Sequence, residues 1–452
     1  MSVTKKIKIF DTAAGKVVDL VVQKKDEFSM YYCGPTVYNY VHLGNMRPVV
    51  VFDVFSRLLK EVGYSIKVVS NYTDIDDKII NEALKEGKTE KELTDFYIQA
   101  YEDCLDKLNL MPLFDHPRVS NWMTRIGDFI KVLMNKGFAY QVGGDVYFRV
   151  GNVTDYGSLS KTVLENNQAG SRIDVNTNKE NPGDFALWKV TDDQGIKFDS
   201  PFGKGRPGWH TECVVMIKSV FNQPMVDVHG GGFDLKFPHH ENERAQSIAY
   251  DGTPLAKYWM HVGFLTAAGG VKMSKSLGNV VLAKDFLAKY SGNVMRLFFY
   301  QSHYRAPIAF SEEAIQKALN DEAKYRSTIQ KLNYRLQRYY PNFQTTLDDD
   351  IVNKFVDCLS DDLNIANAIT VLEVEIKGAL SLLRRPIPDE AQLSKVFGTL
   401  LKLYDLLGLK FDLPKLTDED LELLKKYDKA REQKDFATSD ILRKELMDKN
   451  LL

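Results

Sequence analysis

The sequence predicts two architectures in one chain: an α/β part built on a parallel sheet, then a part made only of long helices. Three observations carry this. Of the 29 glycines, only Gly378, Gly398 and Gly408 follow residue 311, so tight loops belong to the first part. All eight histidines lie at or before His303. A strand–helix–strand succession near the N-terminus sets the class of the first part, because such units close right-handed and parallel.

Taken in order, residues 28–32 are an apolar, β-like run. Residues 45–62 follow as an apolar helical pattern, with Pro48 tolerated in a first turn and Gly63 as a stop. Residues 66–71 return to strand. Residues 225–229 and 258–262 are further strands, ending in His or just before Gly. Open parallel sheets bind ligands beyond the carboxyl ends of their strands. Cys33, His229, Val262 and Gly263 would gather there. Residues 121–200 interrupt the two halves and read as an insertion. Beyond residue 311, residues 312–340 and 350–384 read as long helices, with breaks at 305–307, 341–346, 386–388 and 411–417.

The bulk properties exclude several classes. A net charge of −2 gives no general basic field, so any nucleic-acid contact must use local patches. The start, MSVTKKIKIFD, has no apolar core of a secretory signal. No stretch approaches the roughly 18 apolar residues of a membrane helix. Four scattered cysteines, Cys33, Cys104, Cys213 and Cys358, make no disulfide framework. The expectation is a cytoplasmic protein with no membrane role, in a compartment where thiols stay reduced.

Two motifs carry phosphate chemistry. VHLGNMRP sets His42 and Asn45 about a helix N-terminus, where backbone N–H groups and the helix dipole favour an anion. Gly44 would let a ligand approach the backbone. Taken alone, the motif is weak and reads better as a neutral capping turn. GGVKMSKSLGN, residues 269–279, offers Lys272 and Lys275 between glycines. Such a loop could close on a polyphosphate and supply preorganised cations, although a short Lys/Ser stretch is more often a solvated loop.

A third group has metal-ligand chemistry: Cys33, Cys213, His239 and Glu243. His239 and Glu243 are four apart and would share a helix face. Two thiolates, an imidazole and a carboxylate suit zinc. The spacing matches no common finger, so from the residues alone buried structural thiols are the better reading.

HLGN resembles the HIGH motif of class I aminoacyl-tRNA synthetases, and KMSKS is their second signature. Together with CGPTVYNYVHLGNMRP, NYTDIDDKI, GGFDLKFPHHENE and HYRAPIAFS, the chain resembles cysteinyl-tRNA synthetases from about residue 7 to the 440s. The resemblance implies a Rossmann-like catalytic domain at 1–120 and 201–265, split by a connective insertion at 121–200. It implies a KMSKS loop and stem-contact region at 266–311, a helical bundle at 312–410 that binds tRNA, and an anticodon-binding segment at 411–452. That last segment is shorter than in relatives, which continue further. The implied reaction joins L-cysteine, ATP and tRNA(Cys) through a cysteinyl-adenylate. The implied cofactors are one zinc, held by Cys33, Cys213, His239 and Glu243 against the substrate thiolate, and magnesium with ATP. His42, Asn45, Lys272 and Lys275 take catalytic roles. His42, Gly44, Asn45, Asp234, Val262 and Lys275 bind ATP. Gly34, Thr73, Trp209 and His229 bind cysteine. The family also suggests a monomer. His240, Cys104 and Cys358 receive no role. The alternative activity is a zinc-dependent cysteine ligase acting on an amino sugar, which has less need of the helical part.

Overall fold

The computed structural model describes residues 5–162, 179–266, 280–385, 389–449 and 451. The chain divides into two compact units. The first comprises Met1–Gly292, Ser302–Ser311 and Ser360–Leu363, and the second comprises Asn293–Gln301, Glu312–Leu359 and Asn364–Leu452.

In the first unit, β1 (Lys8–Asp11) and β2 (Lys16–Asp19) form an antiparallel hairpin. Then come β3 (Glu27–Tyr32), α1 (Leu43–Glu61), β4 (Ser65–Ser70), α2 (Asp77–Glu86), α3 (Glu90–Asp106) and α4 (Met123–Asn135). Strands β5 (Ala139–Val142), β6 (Asp145–Phe148), β7 (Phe185–Val190) and β8 (Gly205–Pro207) make a separate antiparallel sheet in that order. Its last strand lies past residue 200. The chain continues through α5 (Trp209–Phe221), β9 (Val226–Gly232), α6 (Glu241–Asp251), β10 (Ala256–Val262), β11 (Leu265–Thr266) and α7 (Ala283–Lys289).

The main sheet is parallel throughout, in the order β10-β9-β3-β4. The expected α/β class with a parallel sheet is therefore what the chain adopts. Strand β3 is buried from Phe28 to Tyr32, as a strand covered on both faces must be. The strand order reverses direction at β3: its sequence neighbour β4 lies on one side and the distant β9 on the other. That is the crevice in which α/β sheets bind ligands. Strand β9 runs to Gly232, past the expected end at residue 229. Gly230 makes this possible, since a Cβ there would stand 2.4 Å from Phe52 Cζ of α1.

Helix α1 starts two residues earlier than the sequence pattern suggests. His42 is extended (φ −89°, ψ 162°) and caps it, while the Asn45 carboxamide accepts from the His42 N–H at 3.1 Å. Pro48 consequently falls in the second turn.

His116 is stacked on Tyr72, with ring centroids 3.7 Å apart, and burial pushes its imidazole down to about 4. The unfolded chain would take up this proton near pH 6.5, so stability from this group is complete above that pH and is lost as pH falls from about 6.5 to 4. The expected loss is about 3 kcal/mol. In urea melts, His116→Phe should remove that part of the acid sensitivity. Parallel curves for the variant and the parent between pH 7 and 4 would contradict this.

After α8 (Gly292–Phe299) and the short β12 (Ile308–Ala309), the second unit is helical: α9 (Glu312–Tyr339), α10 (Asp349–Ser360), α11 (Ile365–Leu383), α12 (Glu390–Leu406), α13 (Asp418–Glu432) and α14 (Phe436–Asp448). Tyr334, Leu424, Leu446 and Leu451 form one apolar cluster, which seats the last two helices on α9. The expected single helix over 350–384 is two helices. Asp362 and Leu363 are both left-handed (φ 56° and 51°), which no helix continues through. Asn364 then caps α11 by accepting from Asn367 N–H at 3.1 Å. The Asp362 carboxylate is held within the first unit, where it accepts from Phe10 N–H at 2.8 Å, Tyr304 O–H at 2.7 Å and Arg305 Nε at 2.9 Å. These bonds outweigh the helical periodicity. Among the described residues, no helix is long and apolar enough to cross a membrane.

Candidate active site and metal centre

The carboxyl ends of β3, β9 and β10 open onto a cavity of about 490 Å³. Of the residues expected to bind substrates, Gly34, His42, Gly44, Asn45, Trp209, Asp234 and Val262 line it, and so does Cys33, expected as a metal ligand. Gly34 is required by a close approach. A Cβ there would overlap the Asn71 carbonyl oxygen at 1.7 Å, and the Gly34 N–H donates to the Asn71 side chain at 3.0 Å. Thr73 is not on the cavity wall. It accepts from Asn71 Nδ2 at 3.1 Å, and its backbone clasps Pro35 and Val37, so it braces the loop that carries Cys33.

The helix start at His42 differs from the simple anion nest that the sequence suggests. The N–H groups of His42, Leu43 and Asn45 already donate, to Asn45 Oδ1, Val281 O and His42 O respectively. Phosphate would therefore be met here chiefly by side chains. Lys272 and Lys275 lie outside the described residues. A cation the sequence reading missed is Lys78, which lines the cavity with its ammonium 5.5 Å from the Tyr38 ring centroid. It sits in NYTDIDDKI, already quoted for its resemblance, and its position on the first turn of α2 was the available signal.

Arg47 was also missed. It follows HLGN on α1 and is fully buried. Its Nη1 donates to Gly263 O and Ala306 O, each at 2.8 Å, and to Phe264 O at 3.3 Å. Its Nη2 donates to His303 O at 3.1 Å. These carbonyls lie just before β11 and β12, which pair in parallel. One guanidinium thus joins the HLGN helix to both strands. Burial lowers it to about 10, so it stays charged at neutral pH.

The metal-type residues converge beneath the cavity. Cys33 Sγ is 3.8 Å from Cys213 Sγ, Cys213 Sγ is 3.8 Å from His239 Nε2, and His239 Nε2 is 3.0 Å from Glu243 Oε1. The edges of a tetrahedral zinc site with such ligands are about 3.3–3.8 Å. The four donor atoms lie within 4.8 Å of one another, and so do those of a second, overlapping group, Cys33, His229, His240 and Glu243. The donor set therefore fits a zinc ion. His239 reaches Glu243 although α6 begins only at Glu241, because a kinked turn over Lys236–His240 carries it into place.

Around this group lies a set of rings. His229 is fully buried, with Nδ1 2.9 Å from Tyr31 O and Nε2 2.7 Å from Glu243 Oε2. Both its nitrogens face oxygen acceptors, so it holds Glu243 in place and does not reach the cavity. His240, left without a role by the sequence, has Nε2 3.3 Å from Cys33 Sγ and Nδ1 2.8 Å from His261 Nε2. His261 closes the chain on Thr12 at 2.8 Å. His210 meets His239 through facing Nδ1 atoms 3.0 Å apart, and Trp209 stacks on His239 with centroids 4.1 Å apart.

Burial pushes His210 and His261 down to about 3 and His240 well down, so all three are neutral imidazoles at pH 7. Burial opposes charge on His239 too, but Glu243 and Cys213 override it and raise His239 to about 10. Burial likewise acts against the Glu243 carboxylate, yet His239 and His229 hold it well below its usual range. The hydrogen bond from Cys33 lowers Cys213 to about 7, while burial and the Cys213 charge push Cys33 well up. The two thiols thus share one readily formed negative charge.

Residues 19–320 match the family model for the class I (C) tRNA synthetase catalytic domain. A cysteine–tRNA ligase from Brevibacillus brevis is 43% identical over 432 residues, covering 94% of this chain and 92% of the relative. One from Lactobacillus gasseri is 41% identical, covering 97% of each. Among solved structures, methionyl-tRNA synthetase of Mycobacterium tuberculosis bound by methionyl-adenylate aligns with a TM-score of 0.59 at 12% identity, over 84% of this chain and 90% of that one. A putative arginyl-tRNA synthetase from Campylobacter jejuni aligns at 0.57 and 12%, over 87% and 95%. These two establish likeness of fold alone.

Proposed function

Because this chain belongs to the cysteine–tRNA ligase family of class I tRNA synthetases, we propose that it activates L-cysteine with ATP and transfers it to the 3′-terminal adenosine of tRNA(Cys), releasing diphosphate and AMP. The observation that carries the reading is the meeting of Cys33, Cys213, His239 and Glu243 directly under a cavity walled by His42, Gly44 and Asn45. Sulfur chemistry and phosphate chemistry share one loop.

These four residues are the proposed zinc ligands. They are preferred over the overlapping group because they bring two thiolates, which zinc favours, and because both nitrogens of His229 are already committed. A bound zinc would supply a Lewis acid that favours thiolate over a neutral hydroxyl and lowers the pKa of a thiol. His229 orients Glu243, His210 orients His239, and Trp209 walls the pocket over it.

The substrate carboxylate is the nucleophile in the first step, so no general base is needed. Held at the Cys33 end of the loop, it faces the α-phosphorus of ATP placed at the His42 end. One short segment thereby sets both reactants in register. His42 and Asn45, joined by Lys272 and Lys275 of the KMSKS loop, balance charge as magnesium-bound diphosphate leaves. Asp234 and Val262 stand where the nucleoside would lie. Lys275→Ala is expected to slow adenylate formation about 100-fold while changing cysteine affinity little. Rapid-quench and equilibrium-binding measurements check this, and equal losses in both would remove the transition-state role.

The second unit is the proposed tRNA-binding part, with its C-terminal segment at the anticodon. Supporting this, Arg335, Arg384, Arg385 and Arg431 line a cavity of about 790 Å³ together with Tyr339 and Tyr427. Cations beside aromatic faces suit single-stranded bases and their phosphates. The reading as a whole is tested by cysteine-dependent exchange of diphosphate into ATP, with serine as control, followed by charging of purified tRNA. Exchange without charging would point to a small-molecule acceptor instead.

A further inference from the structure

A second cavity, of about 510 Å³, lies in the first unit behind Tyr32. It shares only Tyr32 and Val49 with the active-site cavity, and none of the reaction chemistry above uses it. Its volume falls in the range of small-molecule sites. The apolar wall comes from Phe52, Val68, Leu105, Leu110 and Met111. Tyr32 stacks on Phe52, with ring centroids 5.2 Å apart.

Polar groups line much of the rest, and the charged ones are all carboxylates. Glu102 and Asp106 stand four apart on α3 and both face the cavity, while no lysine or arginine lines it. Asp53 also lines it but is answered by Arg57 Nε at 2.9 Å. Glu102 accepts only the Tyr72 hydroxyl, through Oε1 at 2.8 Å, which leaves Oε2 for another donor. His116, stacked on Tyr72, also lines the cavity, and its Nε2 is buried without a hydrogen-bond partner. A buried polar atom of this kind costs free energy unless something satisfies it. Its imidazole is neutral at pH 7, so it adds no positive charge.

We propose that this cavity is a second small-molecule site that takes a primary ammonium ion carrying an aromatic or similarly sized apolar body. The ammonium meets Glu102 and Asp106, the apolar body fills the space against Phe52 and Leu110, and a polar atom of the ligand reaches His116 Nε2. Phosphate-bearing ligands are excluded by the absence of cations.

The test uses the full chain and the 2-phenylethylammonium ion as probe, with phenylacetate as its anionic counterpart, by titration calorimetry without cysteine or ATP. Saturable binding of the ammonium with none of the carboxylate is expected. Glu102→Gln, which keeps an acceptor for Tyr72, combined with Asp106→Asn, should weaken it at least tenfold. Leu110→Trp should abolish it by filling the cavity, with diphosphate exchange retained as proof of folding. Binding that survives Leu110→Trp, is indifferent to the charge variants, or is matched by phenylacetate would overturn the proposal. The calorimetric readouts do not depend on which amino acid is activated next door, and an unchanged urea midpoint shows folding of Leu110→Trp independently of exchange.

Discussion

Serine at position 33 is expected to strip the metal centre and raise the cysteine requirement about 100-fold or more. Cys33 brings the one thiolate from the first half of the sheet, and its sulfur lies 3.8 Å from Cys213 Sγ and 3.9 Å from Glu243 Oε1 of the quartet, with His240 Nε2 beside it at 3.3 Å. A hydroxyl binds zinc poorly, and even partners behind a ligand cost 10–100-fold in affinity when lost, so about 100-fold is a lower bound. Preference for cysteine over serine should shrink toward the roughly 100-fold that shape and polarity alone allow. Elemental analysis and exchange kinetics read both effects, and Cys104→Ala, a buried thiol outside both metal-type groups, serves as control. Full zinc content in Cys33→Ser would refute the ligand assignment.

Arg47→Met is expected to destabilise the first unit by about 3 kcal/mol or more. It leaves the carbonyls of Gly263, Phe264, His303 and Ala306 without their donor in a buried place, and each such group costs about 1–3 kcal/mol. The lost ties also free β11 and β12 from α1, so ATP should bind more weakly while cysteine affinity stays close to the parent's. Urea unfolding and separate equilibrium titrations of the two substrates resolve the parts. A change below about 1 kcal/mol would mean that water replaces the guanidinium easily.

How much of this was readable beforehand follows from how local each signal is. The β3–α1–β4 unit is written in consecutive residues, and the periodicities of 28–32 and 66–71 show it directly. HLGN and KMSKS carry their meaning in four or five letters. The metal quartet shows as ligand types, but nothing in their spacing brings Cys33 to Cys213, because adjacency of β3 and β9 does that. His210, His240 and His261 escaped for the same reason: their partners are 21 to 29 positions away or more, and each looks like an ordinary core histidine. Arg47 reads as a polar residue on a helix, and its burial depends on backbone more than 200 positions later. The helix break at Asp362 had a signal in Asp361–Asn364, yet the apolar repeat on either side masked it.

The order of strands in the main sheet also bears on how the protein is made. Cys33 emerges from the ribosome early, but its partner sulfur is 180 positions on, and the strand that seats against β3 to bring in Glu243 comes later still. A nascent chain halted before β9 therefore holds thiols with no cage to receive an ion. If the four residues hold a metal, their cage can close only late in biosynthesis, after the antiparallel sheet β5–β8 and strand β9 have been made.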